Sequence, residues 1–170
     1  MKKLIFGLLV FGFAIQSFAQ VETEKLSEVV ISATNYKYLN QIGLSNASIP
    51  VEVLESHVAS FDLKDADFYS DEYDLYEVSF YIPDGYILAS YDKDGTILRT
   101  AERFKNVALP RPVIESVAKM YPGWTFAKDT YLVKYHDNND GGKITKKYKI
   151  ILKKGDERKK VVTDEYGDFL

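Results

Sequence analysis

Tyr76-Glu77-Val78-Ser79-Phe80-Tyr81-Ile82-Pro83-Asp84-Gly85-Tyr86-Ile87-Leu88-Ala89-Ser90-Tyr91-Asp92-Lys93-Asp94-Gly95-Thr96-Ile97-Leu98 lies without a gap over Tyr148–Leu170, at an offset of 72. Tyr76, Asp84, Asp92, Gly95 and Leu98 fall on identical residues, and Val78, Phe80, Ala89 and Ile97 fall on apolar ones. Within the first stretch Tyr76, Val78, Phe80 and Ile82 alternate with Glu77, Ser79 and Tyr81, a period of two that describes a strand with one buried face. Pro83-Asp84-Gly85 predicts a turn into a second strand, Tyr86–Tyr91, and Asp92-Lys93-Asp94-Gly95 predicts a turn out of it. The later stretch repeats that plan through Tyr148, Ile150 and Leu152, Gly155-Asp156, Lys159–Thr163 and Gly167.

Working outward, Val53-Leu54-Glu55-Ser56 lies over Val113-Ile114-Glu115-Ser116 at an offset of 60. The apolar period there is helical. Val113, Ile114, Val117, Ala118 and Tyr121 share one face, with Pro112 in the opening turn and Pro122-Gly123 as a stop. Leu54, Val58 and Phe61 form the matching stripe of the earlier helix, behind Ser48 as cap and Pro50 in the first turn. Tyr131–His136 and Ile144–Leu152 flank Asp137-Asn138-Asn139-Asp140-Gly141-Gly142, which reads as a hairpin loop.

The expected fold is α+β: a tandem repeat of helix plus antiparallel β-sheet units. The expected organisation is a signal peptide over 1–19, an N-terminal segment over 20–47, a first unit over 48–98, a connector over 99–110 and a second unit over 111–170. A unit of that size buries too little surface to be stable alone, so the two are expected to share a core or a continuous sheet. Within 20–47, Glu28-Val29-Val30-Ile31 reads as an added strand or a loose arm.

Lys2 and Lys3, the apolar run Leu4–Ile15 and Ser17-Phe18-Ala19 have the form of a secretory signal cleaved after Ala19. The run is shorter than the roughly 20 residues a bilayer span needs, so the mature chain is expected to carry no span and to be periplasmic or secreted. With no Cys, disulfides, thiol catalysis and iron–sulfur clusters are excluded, and 46% apolar residues supply a core without cross-links.

Catalytic patterns are missing from the sequence. His57 and His136 have no metal-ligand spacing, and Ser56-His57 is adjacency along the chain, whereas nucleophilic catalysis needs groups that converge in space. A nucleotidyltransferase such as a nicotinate-nucleotide adenylyltransferase calls for phosphate-cradling Gly and His motifs, and none occurs. The acidic run Asp62, Asp65, Asp67, Asp71, Glu72, Asp74 has Phe68, Tyr69 and Tyr73 in place of the bend Gly of a Ca²⁺ loop, and the loop Asp137–Gly142 offers oxygens and Gly but lacks the closing Glu. No catalytic, cofactor or metal residue is therefore assigned, and the chain is read as a non-enzyme.

Charge is polarised. Residues 52–98 hold 12 acids and 2 bases, whereas residues 99–170 hold 16 bases and 10 acids. That asymmetry suits docking of the halves in cis, steering toward a partner or head-to-tail association. With a net charge of −3, the chain is not expected to bind nucleic acid. If the helices leave one sheet face uncovered, Glu77 and Tyr81 of the first unit and Lys149, Ile151 and Lys153 of the second would line it. Tyr is an effective contact residue, so these five are the candidate interaction surface.

Tyr121-Pro122-Gly123-Trp124, the strand around Tyr148-Lys149-Ile150 and the closing Asp164-Glu165-Tyr166-Gly167-Asp168-Phe169-Leu170 resemble the PepSY-like, β-lactamase-inhibitor-like proteins exported by Bacteroidetes. Tyr76–Phe80 and Tyr91-Asp92-Lys93-Asp94-Gly95 carry the likeness into the first unit, so that it covers about residues 48–170. The resemblance implies a helix-plus-sheet unit used in tandem, and a binding or inhibitory role with an envelope protein or peptide as partner. Leu26-Ser27-Glu28-Val29-Val30-Ile31-Ser32-Ala33 is similar to the segment opening the plug of TonB-dependent outer-membrane receptors, a second pointer to the envelope. The alternative function is a small-ligand-binding protein or enzyme with a pocket between the units.

Overall fold

A computed structural model describes residues 35–43, 48–138 and 141–170. Residues 1–19, read from sequence as a signal, the Leu26–Ala33 segment and the tip of the loop at 139–140 lie outside the described residues. The elements in chain order are α1 (Tyr36–Ile42), α2 (Ile49–Ser60), β1 (Leu75–Ile82), β2 (Gly85–Asp92), β3 (Ile97–Lys105), α3 (Arg111–Met120), β4 (Thr125–His136), β5 (Lys143–Lys154) and β6 (Glu157–Thr163). The protein is α+β. Its strands form one six-stranded antiparallel sheet in the order β1-β2-β3-β4-β5-β6, so every strand pairs with its neighbour in sequence.

The strand registers assign each side chain to a face. One row across the sheet runs Phe80, Ile87, Glu102, Val133, Lys146, and the next runs Phe104, Tyr131, Tyr148, Thr163. This inner face carries the core: Tyr76, Ile87, Ala89, Tyr91, Phe104, Val133, Ile150 and Leu152 are buried on it. Against it pack α2, through Val51, Leu54, Val58 and Ala59, and α1, through Tyr38, Leu39 and Ile42. The i, i+1, i+4 spacing of those three α1 residues makes a short apolar stripe, and Gly43 closes the helix in the left-handed region at φ 63.

Four sequence expectations meet a different geometry in the helices. Ile114 is 43% exposed and Ala118 is exposed, leaving Val113 and Val117 as the buried stripe of α3. The offset of 60 aligns buried Leu54 with exposed Ile114, and a shift of 59 pairs Leu54 with Val113 and Val58 with Val117. Ser48 occupies the N-cap position of α2, yet its hydroxyl makes no capping bond there. Phe61, placed on the helical stripe, lies one residue beyond α2.

The stretch read as a connector from Arg99 to Pro110 contains most of β3, a central strand paired on both sides. Two of its inward positions hold Thr100 and Glu102, so the apolar alternation that marks the other strands is interrupted where the strand is most buried.

The two hairpins at the offset of 72 are held by matching bonds. Tyr76 pairs with Tyr91 and Tyr148 with Thr163, and each hairpin turns through two residues, between Ile82 and Gly85 and between Lys154 and Glu157. Asp92 Oδ1 accepts the backbone N–H of Asp94 and of Thr96, while Asp164 Oδ1 accepts those of Tyr166 and Asp168. Gly95 and Gly167 follow at φ 82 and φ 90. The tight loops differ: Gly155 has φ 60, a conformation closed to the ring of Pro83 at the aligned position. The segments before the hairpins differ more. β4 flanks β5 on its outer side, whereas residues 61–74 form no strand and leave β1 as an edge.

Candidate functional site: the outer face of the sheet

Among the described residues all helices lie on the inner face, and no element covers the outer one. Strand alternation places Glu77, Ser79 and Tyr81 of β1 there, followed by Tyr86, Leu88 and Ser90 of β2. The next strands contribute Arg99, Ala101 and Arg103, then Leu132 and Lys134, then Lys147, Lys149, Ile151 and Lys153, and finally Arg158, Lys160 and Val162. The five residues expected at this surface all stand on it, and β2, β3 and β4 separate them into two groups. Strand spacing puts roughly 19 Å between β1 and β5.

Between the groups runs a mixed lane. Cross-strand register aligns Tyr81, Tyr86, Arg103, Leu132 and Lys147, and the two tyrosine rings lie 6.1 Å apart. Tyr81 is 73% exposed. The aromatic end belongs to β1 and β2, while the cationic end belongs to β3 through β6.

The face is electrostatically one-sided. Arg99 donates to Ser90 Oγ at 2.9 Å and to Glu77 Oε1 at 2.8 Å, which orders the three side chains and buries Ser90 beneath the arginine. This is the one ion pair on the outer face among the described residues, and Arg103, Lys134, Lys147, Lys149, Lys153, Arg158 and Lys160 form none. Lys153 and Arg158 are cross-strand partners, like charges placed directly opposite. Such a pairing destabilises a sheet.

A second polar cluster lies inside the fold. Glu55 of α2 is 0% exposed and Glu102 of β3 is 3% exposed. Glu102 Oε1 accepts the hydroxyls of Tyr38 at 2.9 Å and Thr100 at 2.6 Å, and neither Glu55 oxygen has a donor among the described residues. Burial first, and then the charge of Glu102, push the Glu55 carboxyl up to about 9. Burial also raises Glu102, against the donors Thr100 and Tyr38 that favour its charged form.

Lys146 stands on the inner face near this pair, with its side chain only 8% exposed. Its ammonium donates to the Ile42 carbonyl at 2.7 Å and to Glu165 Oε2 at 3.2 Å. Beside it, Ile42, Pro110, Arg111, Tyr131, Tyr148 and Tyr166 border a cleft of about 460 Å³. The second unit forms it together with the end of α1 and Pro110, and no residue of 48–98 borders it.

His57 packs edge-on against Phe80 with 5.6 Å between ring centroids, and His136 is exposed at the end of β4. Among the described residues no three His, Asp or Glu side chains are grouped to hold a metal ion. No helix among them is long and apolar enough to cross a membrane. Comparisons with family models, with curated proteins and with solved structures find no match to the chain.

The residues that sequence reading missed on the outer face are Arg103, Leu132, Lys134, Lys147, Arg158 and Lys160. Their signal is the same period of two that placed Lys149 and Ile151, extended along each strand. Joining them into one surface additionally requires the strand order.

Proposed function

We propose that this chain is an exported, non-catalytic binding module that recognises an envelope protein or peptide through the outer face of its sheet. The observation that carries the reading is that face itself: uncovered by any described element, lined by exposed Tyr81 and Tyr86, and continued by cations without counter-ions. Side chains that serve only solubility gain nothing from facing one another as like charges. A docking surface accepts that cost because a partner relieves it.

The proposal includes descent of the two halves from one α+β unit of PepSY-like, β-lactamase-inhibitor-like kind. Its support is the matching pair of aspartate turns at Asp92 and Asp164, with equal hairpin registers on either side. Export, with cleavage after Ala19 and a periplasmic or secreted destination, rests on the sequence of residues 1–19. Sequencing the N-terminus of the protein recovered from the envelope fraction tests it, with Gln20 as the expected first residue.

Photo-crosslinking tests the docking surface. A benzoylphenylalanine placed at Tyr81 or Ile151 captures a discrete partner from envelope extract, and the same group at Glu115, exposed on α3, does not. Equal capture at all three positions, or none at Tyr81 and Ile151, would sink the proposal.

The second reading, a small-ligand site, rests on the cleft beside Lys146, which the second unit forms with α1 and not with the first unit. Binding there would be lost in Lys146→Met and retained in Tyr81→Ala, the reverse of the order expected for docking on the outer face.

A further inference from the structure

We infer that the partner of the outer face presents an acidic, extended polypeptide segment, and that β3 through β6 recognise it by charge. The inference rests on the docking reading above and names the chemistry of the partner. Complementarity is its first support. At outward positions of these four strands stand Arg103, Lys134, Lys147, Lys149, Arg158 and Lys160, without a single acid among their strand neighbours on that face. A cationic surface without internal counter-ions raises the local concentration of an anionic partner and fixes its register.

Spacing distinguishes a polypeptide from other anions. Lys147 and Lys149, with Lys153 beyond Ile151, recur at alternate residues of β5, so their side chains rise from the sheet at intervals of roughly 7 Å. An extended peptide repeats its own side chains at the same interval, and acids at every second position meet these lysines one for one. Leu132, Ile151 and Val162 stand between the cations and give intervening apolar residues of the partner a place to pack. A lipid headgroup layer or a nucleic-acid backbone needs charge alone and has no use for that alternation.

Equilibrium binding of the full chain to fluorescein-labelled poly-L-glutamate tests the inference, with poly-L-lysine, phosphatidylglycerol vesicles and duplex DNA as the other probes. Poly-L-glutamate is expected to bind, and to lose about tenfold in affinity between about 50 and about 300 mM NaCl as screening takes hold. The double reversal Lys149→Glu with Arg158→Glu is expected to abolish that binding. The double reversal Lys64→Glu with Lys119→Glu, equal in net charge and away from the outer face, is expected to leave it within about twofold. Lys149→Gln alone, which preserves strand propensity, gives an intermediate loss if the reversed pair fails to fold.

Equal weakening by both double reversals overturns the inference, as does binding to vesicles or DNA as tight as to poly-L-glutamate. Absence of poly-L-glutamate binding overturns it too. If crosslinking at Tyr81 and Ile151 still captures a protein in that case, the docking surface stands and only the acidic partner is lost.

Discussion

Glu55 on α2 and Glu102 on β3 are both buried in the core, where burial raises each carboxyl and Glu102 holds the hydroxyls of Tyr38 and Thr100. The Tyr38 hydroxyl ties α1 to the central strand. The buried carboxyls also make the fold sensitive to hydroxide, because ionising them places charge in the core.

Stability is therefore expected to fall as pH rises. The folded protein retains the Glu55 proton up to about 9, whereas the unfolded chain releases it near the ordinary carboxylate value. Between those limits the unfolded state binds fewer protons, so the contribution is fully present below about pH 4 and is lost progressively toward pH 9. Denaturant unfolding at pH 5 and pH 8 should differ by a few kcal/mol in that sense, and Glu55→Gln should flatten the dependence. A wild-type curve that rises from pH 5 to pH 8 would refute the assignment.

Lys146 moderates the same pair from the same row of the sheet, because its positive charge favours the ionised carboxyls. In Lys146→Met the folded carboxyls rise further, so the decline with pH should be larger and extend to higher pH. The substitution also removes the donor to the Ile42 carbonyl, so hydrogen exchange in α1 should accelerate at every pH.

Asp92 and Asp164 each accept two backbone N–H groups in equivalent turns. Replacement of either by Ala should cost about 1–2 kcal/mol. A cost at Asp92 without a comparable one at Asp164, measured by urea unfolding, would argue against a shared structural role.

Gly85 opens β2 where a Cβ would come within 2.3 Å of Phe104 Cδ1 and 2.9 Å of the Arg103 carbonyl. The backbone oxygen cannot withdraw without opening the β2–β3 ladder. Gly85→Ala should destabilise by about 1–3 kcal/mol, with a shifted near-ultraviolet signal from the Phe104 and Tyr131 rings, which lie 6.3 Å apart.

Arg158→Glu converts the repulsive Lys153–Arg158 pair into an attractive one. It should raise stability by about 0.2–1 kcal/mol while weakening the anionic binding inferred above. Thermal denaturation at low salt reads the first effect, and the gain should shrink in concentrated salt.

Alternation of apolar and polar residues located β1, β2, β5 and β6 and the inward sides of Tyr76, Phe80, Tyr148 and Ile150. It failed at β3, because Thr100 and Glu102 occupy inward positions, where Glu102 accepts the Thr100 hydroxyl and that of Tyr38, distant in sequence. The same rule sends Lys146 inward, a placement hard to accept until the Ile42 carbonyl and Glu165 are seen to receive it. Helix α1 had a legible stripe in Tyr38, Leu39 and Ile42, overshadowed by the more apolar Val29-Val30-Ile31 run before it. The outer face was legible one strand at a time. Its unity was not, since only pairing between strands reveals that Arg103, Leu132 and Lys147 stand side by side.

Because spatial order follows chain order in the sheet, assembly can proceed as sequential zipping. Each new strand closes a short loop onto the one just laid down, except across α3, and short closures carry small entropic penalties and favour rapid folding. A chain released from its N-terminal end could thus secure β1 to β3 before β4 emerges, with the growing margin always belonging to the newest segment.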